Sequence, residues 1–246
     1  FFSLMSYLVV DLSVGTLYRA VSNIFSLPLS NFHLQRQVNN LSLEDCYYTT
    51  KSNPWAGYWY SVLQTIPQAL LKLGLKPLFK PSTSRVQNIA LGTLVGGITS
   101  SVLYPADAII TIMRARCLTY RESYDLYTRQ SGLTMFSGFL PAVCGILVYR
   151  TTYFYVYDAL VSHGDDTTVT KKYLSSKLVS IISLLAVYPF DTISKIMILQ
   201  RASGNPMGMI ECIRLIYQTR GFQGFYSGIG ISFAERIIMG YVAGAI

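Results

Sequence analysis

Apolar and polar positions alternate along this chain in long blocks rather than in short periods. Ser52–Leu71 and Gln130–Tyr149 run without a charged residue. Leu8–Phe32, Asn88–Met113, Leu178–Leu199 and the stretch from Phe222 to the end are interrupted only by isolated charges, such as Glu235-Arg236. Each block reaches the roughly 20 residues a helix needs to cross a hydrocarbon core. The segments between them, 33–51, 114–129, 163–177 and 201–220, hold much of the charge. The pattern predicts six membrane helices joined by polar segments.

Landmarks recur at fixed places in this pattern, and such periodicity is a fold signal in itself. Leu27-Pro28-Leu29-Ser30, Tyr104-Pro105-Ala106-Asp107 and Tyr188-Pro189-Phe190-Asp191 follow one another at intervals of 77 and 84 residues, late in each odd-numbered block. Downstream of each, an aromatic-x-Gly opens the even-numbered block: Trp55-Ala56-Gly57, Phe136-Ser137-Gly138 and Tyr226-Ser227-Gly228. Proline inside a helix removes a backbone bond and bends it, which lipid tolerates where neighbouring groups satisfy the freed carbonyl. The chain divides into three repeats, 1–80, 81–165 and 166–246, each a kinked helix, a polar segment with a short helix, and a second long helix. The three bent helices are expected to close a funnel about a pseudo-threefold axis.

Composition narrows the function classes. Of 246 residues, 51% are hydrophobic and 13% charged, half the charge of an ordinary soluble domain. Mean hydropathy is +0.37. A soluble enzyme, a DNA-binding domain and a disordered chain are all disfavoured. Twenty Lys and Arg against twelve Asp and Glu give a net charge of +8. They form no stripe, so anionic lipid headgroups or solutes are the expected partners rather than nucleic acid. Four scattered cysteines make neither a zinc motif nor a disulfide framework. No metal, cofactor or enzymatic constellation is expected.

These motifs resemble the mitochondrial carriers, whose signature is P-x-[D/E]-x-x-[K/R] at the end of each odd helix. Within that family, Gly145-Ile146-Leu147-Val148-Tyr149-Arg150, the Trp55–Pro67 segment and Tyr188-Pro189-Phe190-Asp191-Thr192 resemble the ADP/ATP carriers. The resemblance implies an all-α membrane fold of six helices with short matrix helices in the mitochondrial inner membrane. It also implies cardiolipin at the starts of the even helices, at Trp55, Gly57, Phe136, Gly138, Tyr226 and Gly228. Ala56, Ser137 and Ser227 replace the base that family members carry there.

The carrier's moving parts are altered. In the family, the signature acids and bases form a ring of salt bridges that closes the matrix mouth. Here the acid positions hold Ser30, Asp107 and Asp191, and the base positions His33, Ile110 and Ser194. His33 is largely neutral near pH 7. Lys195, one residue further, is rotated by about 100° and expected to face elsewhere. Gln37 matches the family's glutamine brace. The opposite gate is reduced to Lys80, Tyr157 and Asp158, with Pro77 and Val161 at an acid and a base position.

In the central cavity, the resemblance places Asn23 where ADP/ATP carriers have a lysine, and Gln64 where they have an arginine. Glu235 stands at another arginine position, with Arg236 one residue out of register. Gly145, Ile146, Tyr149 and Arg150 match the fourth-helix contact residues. A nucleotide needs several cations to replace its water, so ADP/ATP exchange is not expected.

Arg150 lies at membrane depth, where a charge is a functional candidate by default. The structural alternative, given more weight, pairs it with Asp107, Asp191 or Glu235 and locks the bundle. Arg19 either restores one cation to the cavity or pairs with Glu235. Gly92-x-x-x-Gly96 and Gly240-x-x-x-Gly244 read as helix packing. The leading expectation is therefore an accessory subunit of a larger inner-membrane assembly, such as a respiratory-chain complex. The alternative is a divergent carrier of a small anionic metabolite or nucleotide. A carrier-like outer-membrane protein has nothing in the residues to favour it.

Overall fold

In the computed structural model, residues 2–39, 41–75, 85–129, 136–161 and 169–245 are described. Among them there is no strand. Three long helices carry the prolines inside them: α1 (Phe2–Asn39) with Pro28, α5 (Arg85–Arg116) with Pro105, and α8 (Val169–Ala202) with Pro189. Each is followed by a short helix, α2 (Leu43–Ser52), α6 (Tyr120–Thr128) and α9 (Met209–Arg220). The second apolar block of the first repeat is broken at Gln64 into α3 (Tyr58–Leu63) and α4 (Thr65–Leu75). The other two blocks are α7 (Phe139–Val161) and α10 (Ile229–Ala245). Contacts between α1, α3–α4, α5, α7, α8 and α10 close a ring in chain order.

Three stretches of the described residues, Thr93–Arg116, Phe139–Leu160 and Leu178–Ala202, are long and apolar enough to cross a membrane. The expected count of six membrane helices is therefore met in part by these residues alone.

The repeat is written most clearly where each proline-bearing helix meets the start of the next long one. Gly57, Gly138 and Gly228 all adopt positive φ, at 82°, 85° and 82°, a conformation glycine enters without the cost of a Cβ. The backbone carbonyl just before each glycine is held by the proline-bearing helix of its own repeat. The Tyr104 hydroxyl donates to the Ser137 carbonyl, and the Tyr188 hydroxyl to that of Ser227 at 2.6 Å. The first repeat has Leu27 in place of the tyrosine, and there Asn31 donates to the carbonyls of Ala56 (3.3 Å) and Pro54 (2.9 Å).

The short helices are capped from the sequence. Thr119 and Glu122 form a reciprocal capping box on α6, satisfying two orphan donors at once. Ser42 caps α2 through the Asp45 N–H. The core gathers around the ends of the proline-bearing helices, with Leu34, Ala108, Ile112, Ile193 and Met197 all buried.

Candidate functional site: the central cavity and its closed end

A cavity of about 970 Å³ opens between α4, α5, α7, α8 and α10. Of the sequence-derived candidates, Asp107, Gly145, Ile146, Tyr149, Arg150, Asp191, Ser194 and Arg236 line it. Arg19, Asn23, Gln64 and Glu235 lie around it without forming its wall. Tyr149, Tyr153 and Tyr157 stack in succession along α7, with centroids 6.0 and 6.1 Å apart.

Arg150 forms no ion pair with any described residue, which corrects the expected pairing with Asp107, Asp191 or Glu235. Its guanidinium instead lies over Gly96 of α5, where a Cβ would stand 2.8 Å from Nη2. The glycine makes the room. Arg19 also departs from one expected partner: it faces Asp107 rather than Glu235.

At the closed end, each acid position is satisfied without a salt bridge between repeats. Gln64 donates to Asp107, so the amide at a cavity position holds an acid of the gate. Asn23, its partner in the sequence argument, donates instead to Ser61 at 3.1 Å. Asp191 accepts from Lys195 at 2.7 Å, four residues along its own helix. Lys195 also donates to Gln37 of α1 at 2.9 Å. Its expected orientation away from the gate is thus overturned, because four flexible methylenes bring the ammonium back around the helix. Gln37 donates in turn to Thr192 (2.8 Å) and Asp191 (3.3 Å), so it braces the first and third repeats.

Ser30 has lost the acid, and an arginine comes to it. Arg114 donates to the Ser30 hydroxyl and the Asn31 side-chain oxygen, both at 2.6 Å. Arg114 stands nine residues after Pro105, the place Gln37 holds after Pro28. Glu235 faces this cluster from α10. Sequence reasoning missed Arg114. The equivalence of the two positions was the signal that could have found it.

The base positions have turned to other contacts. His33 shares a hydrogen bond of 2.7 Å with the Tyr188 hydroxyl, and Ser194 donates to the Gly138 carbonyl at 2.7 Å. Ile110 is apolar and cannot take part. At the other gate, Tyr157 belongs to the tyrosine stack, Asp158 is exposed near the end of α7, and Lys80 lies outside the described residues. At the helix starts, Trp55 and Phe136 are exposed, and Trp55 donates its indole N–H to the Ile24 carbonyl at 3.1 Å.

Comparison with known proteins agrees with this architecture. A family model described as mitochondrial carrier protein matches residues 81–164 and 165–246. The chain is 24% identical to ADP/ATP translocase 3 of Homo sapiens, across 89% of this chain and 88% of that one. It is 25% identical to ADP/ATP translocase 4 of Bos taurus, across 89% and 81%. Against ADP,ATP carrier protein 1 of Saccharomyces cerevisiae the figures are 23%, 92% and 87%. With three long helices that carry an internal proline, three left-handed glycines and a central cavity in one ring, the chain belongs to the mitochondrial carrier family.

Proposed function

We propose that this chain is a multi-pass protein of the mitochondrial inner membrane that keeps the carrier scaffold without exchanging ADP for ATP. It serves as an accessory subunit of a larger membrane complex such as a respiratory-chain complex. The observation that carries the reading is the closed end of the cavity. Alternating access requires a gate that forms and breaks, with a few kcal/mol traded between states. Among the described residues, the one ion pair at this gate, Asp191–Lys195, lies within a single helix. Asp107 is answered by an amide and Ser30 by a displaced arginine. The replacements at Asn23, Gln64 and Glu235 further reduce the positive charge a nucleotide would need. Cardiolipin at the glycine turns and neighbouring subunits of the complex are the partners this reading names, and it involves no metal or catalysis.

The native size of the protein in gently solubilised mitochondrial membranes tests this. Migration wholly within a large complex, with no nucleotide uptake by the purified chain in liposomes, is the expected result. Migration at the size of a free carrier together with nucleotide exchange defeats it.

A second reading has its own observation. Arg150, without an ion-pair partner among the described residues, lines the cavity beside Tyr149 and the tyrosine stack. That arrangement suits a small anionic metabolite in a divergent carrier. Uptake of such a solute, abolished by Arg150→Ala in a protein that still folds, would establish it.

A further inference from the structure

The last four carbonyls of any helix lack intrahelical partners, and the negative end of the helix dipole gathers there. Three long helices, α1, α5 and α8, end together at the closed mouth of the cavity. In each case a side chain from a different repeat reaches those carbonyls. Arg220 of the third repeat donates to the carbonyls of Gln37 (3.0 Å) and Val38 (2.6 Å) at the end of α1. Gln35 of the first repeat donates to those of Arg114 (3.2 Å) and Ala115 (2.9 Å) at the end of α5. Arg116 of the second repeat donates to the Ser203 hydroxyl (2.5 Å) and to the Leu199 carbonyl (3.2 Å) at the end of α8, a carbonyl that also accepts from the Ser203 N–H and hydroxyl at 3.0 Å each.

The sense is the same at every step: the third repeat caps the first, the first caps the second, and the second caps the third. We infer that this ring of helix-end caps across the repeats, formed by Gln35, Arg116 and Arg220, is a second closure that holds the mouth shut independently of the charged gate above it. The three donors are not at equivalent positions of the repeats, so they do not replace the signature bases one for one.

Arg116 and Arg220 also line a pocket of about 140 Å³ at this end. It does not read as an anion site, because both guanidiniums already serve carbonyls and the converging helix ends repel an anion. The acceptors are backbone carbonyls and one serine hydroxyl, none of which titrates, so the ring is blind to the protonation of Asp107 and Asp191. It would brace a transporter in one of its states as readily as it would fix a subunit, and so it stands apart from the proposed function.

The test uses the full chain in proteoliposomes with Thr111→Cys as a reporter, since Thr111 lines the cavity below Asp107. A membrane-impermeant maleimide is applied, and alkylation is read by peptide mass spectrometry at position 111 and at Cys117. Cys117 is exposed just beyond Arg116, so its labelling marks molecules whose closed end faces the reagent. In those molecules, position 111 is expected to stay protected. Gln35→Ala with Arg116→Ala is expected to raise its labelling on the order of tenfold, as the loss of two caps shifts a two-state equilibrium. Asp191→Asn is expected to change it less than twofold.

Opening by Asp191→Asn as large as that of the double variant would overturn the inference. So would rapid labelling of position 111 with the ring intact. Should the double variant not fold, the otherwise intact chain still decides. Protection at position 111 that persists from about 0.05 to 1 M salt, across which exposed ion pairs are screened, supports the ring, and protection lost with salt refutes it.

Discussion

Gly138→Ala concentrates the packing of the fold into one methyl group. At φ 85° the residue sits where an L side chain is strained, at a cost of about 1–2 kcal/mol. The added Cβ would also stand 2.6 Å from the Ser194 backbone oxygen and 2.9 Å from the Tyr104 hydroxyl. The first of these is backbone of another repeat and cannot swing aside, so α8 must shift. That shift breaks the hydrogen bond from Ser194 to the Gly138 carbonyl, worth a further ~1 kcal/mol. Together the two come to about 2–3 kcal/mol. Gly204→Ala is the control: its φ is 88°, but nothing lies within 4 Å of the new Cβ, so only the conformational cost of about 1–2 kcal/mol remains. For a chain of this size each kcal/mol moves the melting midpoint by roughly 2–4 °C, which sets the two variants about 2–4 °C apart. The midpoint is read in detergent with a thiol-reactive dye that reports exposure of Cys46 and Cys212, both buried in the fold. Equal midpoints for the two variants would refute the argument, because the contact with α8 would then cost nothing.

Thiol labelling of the folded protein is expected to be uneven. Cys117 is exposed and reacts first, whereas Cys212 is buried and its thiol is pushed up to about 11 by that burial; labelling of Cys212 before unfolding would contradict its placement against the Ile193 carbonyl. The carboxyl of Glu122 is held below the usual range by the Thr119 backbone N–H and then by its hydroxyl. The cap's contribution to α6 is therefore present above the ordinary glutamate pKa and lost as pH falls through the lower folded value. Thr119→Ala is expected to return the carboxyl part of the way to its ordinary range in an NMR titration, and an unchanged titration would remove the hydroxyl from the cap.

What the sequence disclosed follows from how local each feature is. Proline and glycine act on their own backbone, so Pro28, Pro105 and Pro189 mark the long helices, and Gly57, Gly138 and Gly228 mark the turns, without reference to any neighbour. Gln37 was legible as a brace because it stands nine residues after Pro28, where the resemblance to the carriers implies one. Lys195 was misread because a helical-wheel angle treats the side chain as rigid; its spacing of four from Asp191 was the better guide. Gln35, Arg116 and Arg220 act across repeats on backbone carbonyls, which any residue carries, and neither residue type nor periodicity points to such a target.

Arg150 separates the two functional readings more sharply than the gates do. An ionised arginine at membrane depth costs a few kcal/mol unless it is paired or hydrated. Among the described residues no carboxylate meets it, although Asp107 and Asp191 share its cavity. Gly96 opens space for its guanidinium, and Tyr149 lies beside it along the wall. In a pure scaffold, such a residue contributes nothing that an apolar one would not. Arg150→Leu should then raise the melting midpoint or leave it unchanged, and adding phosphate or a nucleotide should shift neither protein. In a carrier, the cavity cation is held in reserve for an anion. A polyvalent anion at 100 times its Kd would then stabilise the unsubstituted protein by about 2.7 kcal/mol, and Arg150→Leu would erase that shift. An anion-dependent midpoint that vanishes with Arg150 would overturn the accessory-subunit reading, even if the protein migrates with a complex. Bound charge in the cavity, more than company in the membrane, is what a transporter requires.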